Sequence, residues 1–229
     1  MRALLLAAGL GTRLRPLTDS TPKCLVPIKR KPLLDIWCEE LLSAGVSKLL
    51  INLHYKSDLV QDHISRSKFA DKIETVFEAN LLGTAGTLIA NRNFFNSEDG
   101  ILLHADNYCE AEIEKVIDAH KSRPENCELT MLGFRTTTPE TCGILEVGQD
   151  RILEKMYEKS KENHGNLANA AFYILSKDLI KDLKSEKDFS TEVIPQYFGK
   201  TLVVETDRTF IDIGTPESYA HAQLVAKIR

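Results

Sequence analysis

No stretch constrains this chain more than Ala3 to Pro27, ALLLAAGLGTRLRPLTDSTPKCLVP. It opens on a short apolar run, Ala3 to Ala8, of the length and composition of a buried strand in a parallel sheet. The run breaks at Gly9 and Gly11, where a backbone can turn with positive φ and approach a ligand closely because no Cβ intervenes. Arg13, Arg15 and Lys23 follow with only Asp19 against them, although the whole chain carries a formal charge of -4. Backbone N–H groups beside glycines, together with guanidinium and ammonium groups, suit a polyanion such as a triphosphate. The pattern is not a P-loop, because no Gly-Lys-Ser/Thr follows the glycines. Nor is it a dinucleotide fingerprint: the third glycine is missing and Pro16 stands where the next helix should run, which argues against a dinucleotide-dependent dehydrogenase.

The run Leu6-Ala7-Ala8-Gly9-Leu10-Gly11-Thr12-Arg13-Leu14, with Pro16-Leu17-Thr18 and then Pro22-Lys23-Cys24-Leu25-Val26-Pro27, closely resembles the signature of sugar-1-phosphate nucleotidylyltransferases. Among these it is most similar to the short mannose-1-phosphate guanylyltransferase-like members. The resemblance implies that Leu6, Ala8, Gly9, Gly11 and Thr12 wrap the nucleotide phosphates while Arg13 and Lys23 neutralise them and act in catalysis.

The 229 residues suffice for one domain with a substantial core, here expected over 1–229 with a nucleotide-binding half, 1–134, and a sugar-phosphate half, 135–229. A hydrophobic content of 43% and a charged content of 27% exclude a disordered or fibrous chain. The N-terminal apolar run is too short for a signal sequence, and no segment approaches a membrane span, so a cytoplasmic protein is expected. Five cysteines without C-x-x-C spacing read as reduced packing residues. A pI near 5.9 gives no support for nucleic-acid binding.

Along the chain, helical spacing runs from Pro32 to Gly45, a strand follows at Lys48 to Leu53, Ser57 is placed to cap the next helix, and Ile73 to Phe77 makes a third strand. This alternation predicts an α/β fold, a three-layer, doubly wound, mainly parallel sheet of Rossmann-like type. Small residues crowd Glu78 to Leu88, which reads either as tight packing of a helix start or as a floor for a flat base. Leu82-Gly83-Thr84-Ala85-Gly86-Thr87-Leu88 is similar to the family's base-reading motif in its guanylyl form, implying that Gly83, Thr84 and Gly86 contact GTP.

A fourth strand from Gly100 ends at Asp106-Asn107, and ligands in open α/β sheets gather at such carboxyl ends. The next helix, expected over Ala111 to Lys121, starts too far on for Asp106 to be its cap, which favours a metal ligand. Asp212 sits between Ile211 and Ile213, and a cation shared with Asp106 would partner it. The resemblance implies Mg2+ on Asp106 and Asp212, with Asn107 among the substrate contacts.

The second half changes to shorter strands: Glu128 to Phe134, Gly143 to Val147, Ile152 to Met156 and Ala168 to Leu175, with a polar excursion from Lys155 to Gly165. A helix capped by Ser190 and a strand over Leu202 to Glu205 precede a last helix opened by Thr215-Pro216. By resemblance Gly143 backs the sugar, Glu154 and Asn169 bind its hydroxyls and Lys155 its phosphate. The family's proline after that lysine is replaced by Met156. No hexapeptide repeat appears, so no C-terminal β-helix is expected.

The implied reaction is attack of a sugar 1-phosphate, mannose- or heptose-type, on the α-phosphorus of GTP, giving an NDP-sugar for glycan synthesis and pyrophosphate. Transfer from UTP or CTP, a non-sugar acceptor such as phosphocholine, and a silent regulatory subunit are the alternatives. The exposed helices show no interface stripe and leave room for a homodimer.

Overall fold

The opening apolar run forms the strand Arg2–Leu6, in which Ala3, Leu4 and Leu5 are fully buried. A computed structural model describes residues 1–227, and within it the chain divides into two compact units whose segments interleave along the sequence. The first comprises Met1–Leu81, Leu103–Ala111 and the chain from Thr209; the second comprises Leu82–Leu102 and Glu112–Arg208. The strand Gly100–His104 starts in the second and ends in the first.

In the first unit Arg2–Leu6 pairs in parallel with Leu49–Leu53, which pairs in parallel with Ile73–Phe77. Leu49–Leu53 is buried throughout, as a continuous LLINL run requires when both faces are covered. The helix Leu33–Ser43 buries Leu33, Leu34, Ile36, Trp37 and Leu41 as its spacing predicts, with Cys38 added to the stripe and Leu42 only half-buried. The helix Ser57–Ser65 forms as expected but not through a Ser57 cap: Lys56 holds the cap position in the left-handed region with no side-chain bond. The last helix, Pro216–Val225, opens on a capping box in which Thr215 and Ser218 satisfy each other's backbone N–H groups.

In the second unit Leu129–Arg135 lies between Leu167–Leu175, antiparallel, and Thr201–Thr206, parallel. Gly143–Val147 and Leu153–Glu158 form an antiparallel hairpin. The strand therefore runs two residues beyond the Met156 boundary expected from sequence, because its register continues until Glu158 faces Gly143. Ser190 caps nothing. Asp188 instead accepts from the Thr191 N–H (2.8 Å) ahead of a π-helical turn, Phe189–Val193. Strand–helix alternation thus gives the α/β class with mixed, mainly parallel strands. All five cysteines are free, and four are buried.

The fully buried His120 ties this unit's helix Ile113–Lys121 to its sheet. Its Nε2–H donates to Asp99 Oδ2 (3.2 Å) while Nδ1 accepts from the Thr130 hydroxyl (2.8 Å), since a carboxylate offers no donor and the hydroxyl does. That bond, aided by the Lys177 N–H and Arg123, outweighs burial and holds the Asp99 carboxyl at about 2. Burial keeps His120 below its ordinary value. Both groups therefore take up protons more readily unfolded than folded, so stability is full above the unfolded histidine value, falls as acid takes the pH below it, and falls again as Asp99 titrates. Denaturant midpoints should drop between neutrality and about pH 5, where an unfolded histidine is protonated. In His120→Gln that drop should shrink; an undiminished drop would assign the acid sensitivity elsewhere.

Candidate functional site

The first unit gathers the glycine loop, Lys23, Asp106 and Asp212. Gly9 is open, with nothing within 4 Å of where a Cβ would stand. Gly11 adopts φ 63°, and a Cβ there would lie 2.8 Å from Thr18 Cγ2, so the turn requires glycine on both counts. The Thr18 hydroxyl donates to the Gly11 carbonyl (2.7 Å), and the Tyr55 hydroxyl to the Thr18 carbonyl (3.1 Å), fixing the loop from behind. Ahead of it, the Ala7 N–H donates to Oδ1 of Asn52 (2.7 Å), whose amide donates to Glu78 (3.0 Å). Ala8 is buried, Thr12 and Arg13 are exposed, and the Leu6 carbonyl already accepts from the Ala105 N–H (3.0 Å).

That last bond seats the segment carrying Asp106 beside the first strand. The short strands Asn107–Cys109 and Phe210–Asp212 then pair antiparallel and set Asp212 opposite Asn107. Asn107 is buried, and its carbonyl is anchored by the Trp37 indole (2.8 Å). Between the two acids lies the Lys23 ammonium, 2.7 Å from Asp106 and 3.3 Å from Asp212. The Lys23 side chain is only 7% exposed, so a buried ammonium is held here by a partly buried Asp106 and a half-exposed Asp212. Burial pushes the Asp106 carboxyl up, but the Lys23 charge, with His104 and the Lys23 hydrogen bond, outweighs it and leaves the group below its ordinary value. Arg13 stands apart, 70% exposed and 3.8 Å from Asp212, a contact worth little by itself. Asp106 caps no helix, because Glu112 holds the cap position of the following one.

Among the described residues no group of three or more His, Cys, Asp or Glu could hold a metal by itself. Two carboxylates converging on one cation do fit a divalent ion that arrives with phosphates, since Mg2+ commonly takes one or two carboxylates and completes its shell from substrate and water.

In the second unit Gly83 has φ 83°, and a Cβ would run into the Lys187 carbonyl. That carbonyl accepts from Ala85 N–H (3.0 Å) and Gly86 N–H (3.4 Å), and the Thr84 hydroxyl oxygen accepts from Phe189 N–H (2.7 Å). Packing against residues 187–189 therefore accounts for Gly83 and Thr84, while Leu82 and Gly83 stay exposed.

Gly143, Asn169, Met156 and Glu158 come together on one face. A Cβ on Gly143 would lie 2.7 Å from Glu158 Oε2 and 3.3 Å from Met156 Sδ. The Asn169 amide donates to the Tyr173 hydroxyl (2.7 Å) and reaches Met156 Sδ at 3.9 Å. Glu154 and Lys155 do not join this group, contrary to expectation. The register shifts between Leu153 and Lys155, leaving Glu154 bulged beside Gly148 at the hairpin's other end. Lys155 pairs with Glu146 and lies over Tyr157, 4.8 Å from its centroid. The acid beside Gly143 is Glu158, followed by Lys159. The second hairpin strand and its end carry Glu-Lys twice, at Glu154-Lys155 and Glu158-Lys159, and the signal for the second copy was strand length: the partner of Gly143 must lie at the hairpin's open end.

Among the described residues no helix is long and apolar enough to cross a membrane. Comparison with known proteins agrees with these features. The chain is 30% identical over 226 residues to a putative mannose-1-phosphate guanyltransferase of Sulfolobus acidocaldarius, covering 97% of this chain and 62% of that one, so it spans about three fifths of that relative's length. It is 28% identical to the D-glycero-alpha-D-manno-heptose 1-phosphate guanylyltransferase of Campylobacter jejuni, covering 96% of this chain and 98% of the relative. The crystal structure of HddC from Yersinia pseudotuberculosis complexed with GMP-PN superposes with a TM-score of 0.81 at 28% identity, over 97% of each chain. The nucleotidyl transferase family model matches residues 2–227, and on that match the chain belongs to the nucleotidyl transferase family.

Proposed function

We propose that this protein transfers a guanylyl group from GTP to a manno-configured sugar 1-phosphate, mannose- or heptose-type, and releases pyrophosphate. The observation that carries the reading is the buried Lys23 ammonium held between Asp106 and Asp212 beneath an open glycine loop. The names of the similar proteins support the base and the sugar series.

Both reactants are anions, so catalysis has to position them and offset their charge. The Gly9–Thr12 backbone would cradle phosphate oxygens. Arg13, exposed and weakly paired, is free to swing onto them. Lys23 would transfer its hydrogen bonds from the carboxylates to the α-phosphoryl oxygens, where charge redistributes as the bond to pyrophosphate breaks. The sugar phosphate is itself the nucleophile and needs no protein base. Asp106 and Asp212 would hold Mg2+, which when bound supplies Lewis-acid neutralisation of phosphate oxygens. In the second unit Glu158 would accept from sugar hydroxyls against Gly143, Asn169 would add a further polar contact, and Lys159 would meet the sugar phosphate.

Pyrophosphate release with magnesium, each of the four ribo-NTPs or dTTP, and a panel of sugar 1-phosphates tests this directly. Release is expected with GTP and a manno-configured acceptor, and its loss on chelation. Release confined to another base or to phosphocholine would replace the substrates. Nucleotide binding without any release would mean a regulatory protein.

A further inference from the structure

The loop that follows Glu158 is held by an aromatic stack on the far face of its own hairpin. Tyr157 and His164 lie face to face, centroids 3.5 Å apart and planes 4° from parallel. The Tyr157 hydroxyl donates to Glu146 Oε2 (2.6 Å), and Lys155 Nζ sits 4.8 Å from the same ring's centroid. His164 is braced from the loop side, its Nε2 3.2 Å from Ser160 Oγ. The loop's near end is pinned by Lys159 N–H donating to the Cys142 carbonyl (2.9 Å), with Lys159 at φ 47°. Its far end is pinned by Thr136 N–H donating to the Asn166 carbonyl (2.9 Å). The stretch between contains Lys161, Glu162 and Asn163, all exposed, a composition that by itself would leave the segment unfixed.

Two rings face to face exclude water from each other and gain dispersion contact over the whole face, and the Lys155 cation near the Tyr157 ring adds to the hold on a surface loop. Tyr157 and His164 bracket Glu158 and Lys159 on both sides. We infer that the Tyr157–His164 stack is a clasp that sets the position of Glu158 and Lys159 for the sugar 1-phosphate. Tyr157 and His164 are thus positioning residues, facing away from the Gly143 and Asn169 side of the strand. The inference rests on the reading of Glu158 and Lys159 given above.

Two measurements test it. Tyr157→Ala and His164→Ala should each raise KM for the sugar 1-phosphate about tenfold, the scale of one stacked pair, and move KM for GTP by less than about twofold. The same variants should speed tryptic cleavage after Lys159 and Lys161, followed by mass spectrometry without substrate. Tyr157→Phe keeps the ring and loses only the hydroxyl's bond to Glu146, so it should lie nearer wild type than Tyr157→Ala in both. An unchanged sugar-phosphate KM, equal rises in both KM values, or a Tyr157→Phe variant as impaired as Tyr157→Ala overturns the positioning role. Unchanged cleavage in the alanine variants overturns the clasp even in an active enzyme. Faster cleavage in a protein that turns over no sugar 1-phosphate faults the functional reading and leaves the clasp standing.

Discussion

Lys23→Ala should lower kcat for pyrophosphate release by about 10²- to 10³-fold, the cost of removing one donor aimed at developing negative charge. Lys23 is placed for this by the 3₁₀ turn Lys23–Leu25, which buries its stem and directs the ammonium to Asp106 at 2.7 Å. Without it, Asp106 and Asp212 face each other with no cation, and like charges raise the energy of the substrate-free protein. The melting temperature should therefore fall as well, by less than a wholly buried pair would give, because Asp212 is 54% exposed and keeps much of its hydration. Added magnesium should recover part of the stability by replacing the missing charge, but not the turnover. Lys23→Arg should rescue poorly, since a planar guanidinium does not fit a slot that leaves the lysine 7% exposed. Steady-state kinetics and melts with and without magnesium check all four statements. Wild-type kcat in Lys23→Ala would remove Lys23 from the mechanism.

The fold class was legible because strand and helix periodicities are local. Ile73–Phe77 and Gly143–Val147 form with the boundaries their apolar runs suggest. Glycines and basic residues after the first strand marked that loop as a candidate phosphate site for equally local reasons. What brings Asp212 to Asp106 was not legible, because the pairing that does so involves only three residues on each strand. Two helix caps were misread for a related reason. Ser57 and Ser190 are good cap residues by type, but Lys56 in the left-handed region and the Asp188 carboxylate take those roles. The two readings of the Gly83 segment were left open by sequence, and the Lys187 carbonyl that accounts for its packing is far away along the chain. That Glu158 and not Glu154 faces Gly143 was not legible, because the same dipeptide occurs four residues earlier and a family motif read as letters takes the first copy. Register sets which copy faces Gly143.

That choice makes a sharp expectation. Glu158→Gln should cut kcat/KM for the sugar 1-phosphate by about 10- to 100-fold, the range for hydrogen bonds to a charged group, with KM for GTP little changed. Glu154→Gln should stay within about twofold of wild type, because an exposed carboxylate at the hairpin turn makes a contribution of surface size. Gly143 gives an independent route to the same answer. A methyl there would stand 2.7 Å from Glu158 Oε2, which is the end of a side chain and can yield. Gly143→Ala should therefore fold, displace the carboxylate and reproduce part of the Glu158→Gln defect, and the two substitutions combined should cost less than the sum of their separate effects, since they act on one carboxylate. Initial velocities at saturating GTP over a range of sugar 1-phosphate decide it. A large defect in Glu154→Gln with a silent Glu158→Gln would return the sugar contact to the first dipeptide and require the hairpin register to change when substrate binds.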